Sequence, residues 1–344
     1  MAKVTVQPSG QSFDVEPGEA VLSAALRQGV MLPYGCKNGA CGSCKGKIVA
    51  GQVDYGHYHA RVLTEAERAH GKALFCQAKP LGDLVIECRT IGAAKDIAVR
   101  ILPCRVQKLA RAADDVMIVG LKLPANERLQ FLAGQYIDFL LKGGERRSFS
   151  MANAPHADEL IELHVRQVAG GTFTDHVFSK MKERDILRLE GPLGSFFLRE
   201  ESAKPIVFVA SGTGFAPIKS ILETAFHRNV TRPMVLYWGA RRPKDLYLNA
   251  LPEKWAREHA NFKYVPVISE ARAEDAWSGR SGFVHRAVME DLPDLSQHQV
   301  YACGVPVMVD SARRDFTTLC GLPEDEFYAD SFTTQADLAS DELR

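Results

Sequence analysis

Four cysteines carry the spacing of a metal centre. Cys36, Cys41 and Cys44 stand as C-x4-C-x2-C in PYGCKNGACGSCKGK, and Cys76 follows in LFCQA. This is the spacing of a plant-type 2Fe–2S cluster, whose four thiolates hold two irons and which moves one electron at a time. Glycines interleave with the cysteines, as they must where a loop turns several backbone N–H groups toward sulfur. Zinc is one alternative, but zinc sites commonly pair two C-x2-C knuckles and only one is present. Disulfides are another for eight cysteines, although a chain of this length buries a core without staples. Met1-Ala2-Lys3 runs directly into the alternation of Val4 and Val6, with no secretory pattern. Cys88, Cys104, Cys303 and Cys320 lack ligand spacing, and Cys88 and Cys104 are expected to be small buried hydrophobes.

A second group of motifs suits phosphates and aromatic rings. Arg147-Ser148-Phe149-Ser150 ends a strand-like run. Val165-Arg166 leads through Gly170-Gly171 into Thr172-Phe173-Thr174, where Thr172 or Thr174 can cap a helix whose N-terminus can hold a phosphate. Further on, Ile206–Ala210 runs into Ser211-Gly212-Thr213-Gly214-Phe215-Ala216-Pro217 and then a helix over 218–226. Two glycines permit close backbone approach, and Pro217 suits a first helical turn. This is not the G-x-G-x-x-G fingerprint. The last groups are Cys303-Gly304-Val305-Pro306-Val307-Met308 and Phe327-Tyr328-Ala329-Asp330-Ser331-Phe332.

The elements that must position these residues change character along the chain. Residues 1–91 contain a hairpin over 3–15, a helix over 20–28 ending at Gly29, strands at 48–49 and 84–87, and a short helix opened by Thr64 with Glu67 at the capping-box position. A linker is expected at 92–97. Residues 98–199 hold short strands separated by Gly and Pro turns, which suggests a small antiparallel barrel. Residues 200–333 alternate strand, turn and helix, the mark of a parallel α/β sheet. The tail at 334–344 is polar and expected to fray. The 42 Lys and Arg balance 42 Asp and Glu. That excludes a basic nucleic-acid footprint and a polybasic anchor. The longest apolar run, Ile206–Ala210, is strand-sized, so membrane insertion is not expected. Free thiols suit a reducing, cytoplasmic compartment.

Taken in order, these modules resemble the ferredoxin–NADP reductase superfamily. Their order looks like that of the fused reductases that serve aromatic-ring dioxygenases, phenol hydroxylase and CDP-6-deoxy-3,4-glucoseen reduction. The resemblance covers residue 1 to about 333. It implies a β-grasp 2Fe–2S domain, a flavin barrel and a nicotinamide-binding domain. From the family's R-x-Y-S segment it assigns a pyrophosphate contact to Arg147, ring stacking to Phe149 and a hydroxyl near flavin N5 to Ser150, with Ser148 between them. Phe149 replaces the commoner Tyr, so stacking survives and a phenol hydrogen bond is lost. Val165, Arg166, Gly171, Thr172 and Thr174 fall at the second flavin contact. FAD is favoured over FMN because both an arginine and a helix N-terminus are present. Gly212, Thr213, Gly214 and Pro217 match the family's G-T-G-x-A-P motif. Cys303 and Gly304 match its C-G-x-P-x-M motif, which places Cys303 beside the nicotinamide. Asp330 is placed at the flavin edge, and Phe332 over the ring face.

The implied cofactors form a relay. A nicotinamide gives two electrons as hydride, the cluster accepts one at a time, and flavin divides the pair. NADH is preferred on the resemblance. NADPH stays open, because Arg241, Arg242 and Lys244 follow the second strand of that domain. The implied partner is an electron-acceptor protein, an oxygenase, hydroxylase or dehydrase component. Lys37, Lys45 and Lys47 near the cluster would suit an acidic face on it. The reductase is expected to be monomeric. A self-sufficient ferric or flavin reductase and a non-enzymatic iron–sulfur sensor are the competing readings.

Overall fold

A computed structural model describes residues 1–92 and 97–333. The core of the expected linker and the whole expected tail lie outside the described residues. The chain forms two compact units. Among the described residues, one holds those of Met1–Ala98, Gly194–Phe196 and 329–333; the other holds Val99–Leu193 and Phe197–Tyr328.

In the first unit, β1 (Ala2–Gln7), β2 (Ser12–Val15), β3 (Lys45–Ala50), β5 (Lys72–Leu74) and β7 (Leu84–Glu87) form one sheet in the order β2-β1-β7-β3-β5. A two-stranded ribbon pairs β4 (Val53–Asp54) with β6 (Lys79–Pro80). β1 runs antiparallel to β2 and parallel to β7. Its alternation puts Val4 and Val6 wholly inside. Helix α1 (Val21–Arg27) lays Val21, Leu22, Ala24 and Ala25 on the same core. It stops at Gly29, which takes φ +74° and lets Val30 N–H reach the Ala25 carbonyl at 2.8 Å. Helix α2 (Glu65–Ala69) has the expected capping box between Thr64 and Glu67.

The second unit begins with six antiparallel strands: β8 (Arg100–Ala113), β9 (Val116–Lys122), β10 (Tyr136–Leu140), β11 (Arg146–Ser150), β12 (Ile161–Arg166) and β13 (Ile186–Leu193). Their order is β11-β10-β13-β8-β9-β12. The two edges meet, because Met151, just beyond β11, bridges Leu163 of β12. The strands therefore close into a barrel around Leu102, Val106, Val119, Ile137, Phe139 and Leu189. Helix α3 (Thr172–Ser179) packs Phe173 and Val177 into that core.

A second sheet follows. It is built from β14 (Ile206–Ser211), β15 (Met234–Ala240), β16 (Phe262–Ile268), β17 (Arg280–Ser281), β18 (Gln299–Gly304) and β19 (Phe327–Ser331), in the order β17-β16-β15-β14-β18-β19. Pairings from β17 to β18 are parallel. Helices α4 (Phe215–His227), α5 (Ala250–Glu258), α6 (Val284–Asp291) and α7 (Pro306–Leu319) connect the strands. The central strands are apolar throughout, as a sheet covered on both faces requires. Strand order reverses at β14, with β15 on one side and β18 on the other. In such sheets the crevice beyond the carboxyl ends of those strands is where ligands bind.

Candidate redox centres

The cysteine loop folds so that its thiols meet in two pairs. Cys36 shares a side-chain hydrogen bond with Cys41, and Cys44 with Cys76. Within each pair that bond pulls one thiol down and pushes the other up. Cys41 is lowered to about 6 and Cys76 below its ordinary value, while Cys36 and Cys44 rise. Among the described residues no three His, Cys, Asp or Glu side chains converge on one ion position. Two close thiol pairs are a donor set that two irons would fit. The loop is also built around sulfur. Cys36 N–H points at Cys41 Sγ at 3.4 Å, and a Cβ on Gly35 would come within 3.3 Å of the same sulfur. Gly39, at φ +78°, lies so close to the His57 carbonyl that a Cβ would stand 2.6 Å from it.

Other parts of the first unit anchor the loop. Ser43 Oγ donates to the Ala329 carbonyl at 2.9 Å. Tyr34 N–H donates to Ser195 Oγ at 2.8 Å, and Ser195 Oγ–H and N–H both point at the Tyr34 carbonyl. Sequence reasoning missed Ser195, which lies 161 residues away with no motif to mark it. Asp330 is buried, and Phe332 is half-buried. Both group with the cysteine loop rather than with Arg147–Ser150. Of the three lysines, Lys45 pairs with Glu67 at 2.6 Å, Lys37 lies over the Tyr34 ring, and Lys47 is exposed.

In the second unit, β11 pairs with β10 so that Phe149 faces Ile137 and Ser148 faces Asp138. Ser148 Oγ donates to Asp138 at 2.5 Å, and Ser150 is buried. Arg147 holds Glu145 at 2.9 Å and its neighbour's carbonyl at 2.8 Å. The Phe149 ring leans on Phe139 and Phe173, with centroids 5.8 and 5.5 Å away. Phe173, from α3, was not among the expected residues, though it sits between Thr172 and Thr174. Neither threonine caps α3. Gly171 occupies the cap with no side-chain hydrogen bond, and Thr174 Oγ1 turns back to Val168 N–H at 3.1 Å. The first N–H groups of α3 thus receive no hydroxyl from either threonine.

The nicotinamide motifs meet at the β14–β18 crevice. After β14 the chain makes a single 3₁₀ turn, Gly212–Gly214, and α4 starts at Phe215, earlier than expected, with Pro217 in its first turn. A Cβ on Gly214 would overlap the Cys303 carbonyl and stand 2.8 Å from Gly304 Cα. A Cβ on Gly304 would overlap Ser211 Oγ, which accepts the Val305 N–H at 3.0 Å. Cys303 is fully buried beside Ala210. The Arg166 guanidinium lies directly on Gly212, and its Nε stands 3.0 Å from Asp115 without hydrogen-bond alignment. Arg166 therefore joins β12 to the Gly212–Gly214 turn. Trp238 Nε1 donates to the Gly212 carbonyl at 3.0 Å, and its indole stacks on Phe215 at 4.1 Å.

Beneath this crevice runs a buried polar chain that no sequence motif announces. His164 Nδ1 meets the Tyr247 hydroxyl at 2.8 Å, and His164 Nε2 meets Glu162 at 3.1 Å. The Lys219 ammonium reaches Glu162, Glu223 and the Ala152 carbonyl, each at 3.0–3.1 Å. Burial opposes ionisation of Glu162, yet the His164 hydrogen bond and the Lys219 charge hold it at about 2. Burial lowers His164 and so favours the neutral imidazole. Its Nε2–H then donates to the carboxylate, and Nδ1 accepts from the phenol. Burial likewise raises Tyr247. The chain ties β12, α4 and the segment after β15 together under the Gly212–Gly214 turn. Its members come from three separate stretches, at 162–164, 219–223 and 247, which is why it was missed.

Comparison with known proteins agrees with this division of labour. Residues 4–81 match the 2Fe-2S iron-sulfur cluster binding domain, 103–198 the oxidoreductase FAD-binding domain, and 208–314 the oxidoreductase NAD-binding domain. The chain is 41% identical over 329 residues to a CDP-6-deoxy-L-threo-D-glycero-4-hexulose-3-dehydrase reductase of Yersinia pseudotuberculosis, covering 96% of this chain and 98% of that one. It is 37% identical to the reductase component of a Pseudomonas phenol 2-monooxygenase, covering 99% and 97%. A solved cytochrome P450 reductase from Amycolatopsis superposes with a TM-score of 0.76 at 36% identity, covering 97% and 99%. Among the described residues no helix is long and apolar enough to cross a membrane. The chain belongs to the family of reductase components that fuse a 2Fe–2S domain to FAD- and NAD-binding oxidoreductase domains.

Proposed function

We propose that this chain takes electrons from NADH and delivers them singly to a cytoplasmic oxygenase, hydroxylase or dehydrase component. The observation that carries this reading is the coexistence of two built sites: paired thiols in one unit, and the Arg166–Gly212–Cys303 crevice in the other. When bound, the nicotinamide supplies a hydride, FAD accepts it, and the cluster passes single electrons onward. The protein's part is to orient and to shield. Arg147 and the uncapped start of α3 hold flavin phosphates, Phe149 backs the ring with Phe173 behind it, and the buried Ser150 hydroxyl stands on the same strand. The Gly212–Gly214 turn receives the coenzyme pyrophosphate through backbone N–H groups, and Cys303 closes the crevice against water. Cys36, Cys41, Cys44 and Cys76 hold the irons. Asp330 at the flavin edge and Phe332 over the ring face belong to the same reading. So do the domain bounds 1–91, 98–199 and 200–333, with a linker at 92–97 and a tail at 334–344.

Lys47 is exposed beside the cysteine loop and Lys37 lies over the Tyr34 ring, whereas Lys45 is neutralised by Glu67. Docking of an acidic partner face would therefore carry only a modest ionic-strength dependence. Cys76→Ser tests the outlet. NADH-dependent ferricyanide reduction, which needs only flavin, should persist, while cytochrome c reduction should fall at least tenfold. Unchanged cytochrome c reduction by a protein lacking its cluster spectrum would refute the proposed outlet.

A further inference from the structure

Sequence alone puts three cations, Arg241, Arg242 and Lys244, where a 2′-phosphate would be read, at the carboxyl end of the strand beside β14. The structure shows where two of those charges go. Arg242 Nε and Nη2 grip both oxygens of Asp275 at 2.6 Å, and Nη2 also reaches Glu274 at 2.7 Å. Its backbone N–H is taken by Asp245 at 3.0 Å. The guanidinium fork is thus filled in the bidentate geometry that suits a carboxylate or a phosphate equally. Lys244 pairs with Asp114 at 2.9 Å. Arg241 is exposed, and among the described residues no ion pair engages its side chain. The loop after β16 holds the clamp in place. Ser269 N–H donates to the Ala240 carbonyl and Glu270 N–H to the Arg241 carbonyl, which brings Glu270, Glu274 and Asp275 against the end of β15.

We propose that Asp275, assisted by Glu274, occupies the guanidinium fork of Arg242 and so sets coenzyme choice toward NADH. The inference rests on the placement of the coenzyme at the Gly212–Gly214 turn. A 2′-phosphate dianion would have to displace two carboxylates from Arg242 and then lie beside them. Two ribose hydroxyls make no such demand. The selectivity is therefore built largely by repulsion, as a specificity device often is.

Freeing the arginine should reverse the preference. Asp275→Asn and Glu274→Gln, singly and together, are compared with the parent holoenzyme. Flavin reduction is followed with NADH and NADPH, and binding of 5′-AMP and 2′,5′-ADP is measured by calorimetry. The parent should bind 2′,5′-ADP no more tightly than 5′-AMP. In the double variant the NADPH/NADH ratio of kcat/KM should rise at least tenfold, with 2′,5′-ADP affinity rising in parallel and NADH use held within about twofold. A ratio unchanged within twofold in a variant that still reduces flavin with NADH would overturn the clamp, as would a parent that already prefers 2′,5′-ADP. A parent whose flavin neither NADH nor NADPH reduces would overturn the placement of the coenzyme instead. Thermal unfolding of Glu274→Gln, whose own side chain is largely exposed, separates these outcomes from misfolding.

Discussion

Gly214→Ala is a perturbation whose size can be worked from geometry. Gly214 has φ −59° and ψ −12°, a conformation alanine adopts without strain. The effect is therefore steric alone. The new methyl would overlap the Cys303 carbonyl and stand 2.8 Å from Gly304 Cα, against 3.4 Å for ordinary contact. Both neighbours are backbone, so neither can swing aside. The turn and the β18 end must separate by at least about 0.6 Å at the Cα, and by more at the carbonyl. Overpacking of this kind costs about 1–3 kcal/mol of stability. Misplacing a reactant by about 1 Å costs on the order of 10²-fold in rate, or about 2.7 kcal/mol of barrier. Anaerobic stopped-flow reduction of flavin by NADH should thus show kcat/KM lower by about 10²-fold. The visible spectrum of the cluster and its reduction by dithionite should be unchanged. Gly82→Ala is the control, since a methyl there meets nothing within 4 Å. A Gly214→Ala protein reduced by NADH within about twofold of the parent rate would remove the turn from the coenzyme site.

Other outcomes follow from the same geometry. Cys303→Ala should slow flavin reduction by NADH on the order of tenfold and leave the iron–sulfur spectrum intact; an unchanged stopped-flow rate would reduce Cys303 to a packed strand-end thiol. The buried chain should make stability fall in acid. Glu162 is depressed in the folded state, so its contribution is present above its ordinary 4.5 and lost as pH falls toward about 2, up to on the order of 3 kcal/mol. His164 is also depressed and adds a loss that begins below about 6.5. Glu223, raised by burial, returns part of this on acidification. Glu162→Gln should therefore be less stable near pH 7 and show a shallower fall in Tm between pH 5 and 3.5; parallel curves would refute the assignment. Lys219→Met should cost about 3–5 kcal/mol near neutral pH by leaving Glu162 and Glu223 facing each other, as read by denaturant unfolding.

The strands were legible because their burial alternates or is continuous. Val4 and Val6, or Ile206–Ala210, announce their faces without knowledge of their neighbours. The Thr64–Glu67 capping box was legible because its partners are three residues apart. Cap assignment failed at α3 because the Val168–Gly171 turn, with Gly170 at φ +74°, folds back far enough for Thr174 to bond Val168 instead of the helix start. The charge of Arg242 was legible, but its neutralisation was not, since Asp275 lies 33 residues on and meets it only through sheet order. Tyr247, His164 and Lys219 carry no local pattern at all. They come together because β12, α4 and the segment after β15 share one crevice.

Electrons that enter at the flavin must reach the cluster before they leave the protein. Substoichiometric NADH is mixed anaerobically with the holoprotein, absorbance follows the flavin, and freeze-quench electron paramagnetic resonance follows the cluster. Flavin should bleach first, and the reduced 2Fe–2S signal should grow afterwards from the same electrons, before any acceptor is added. A flavin that turns over with NADH and an added acceptor while the cluster stays oxidised throughout would contradict this order.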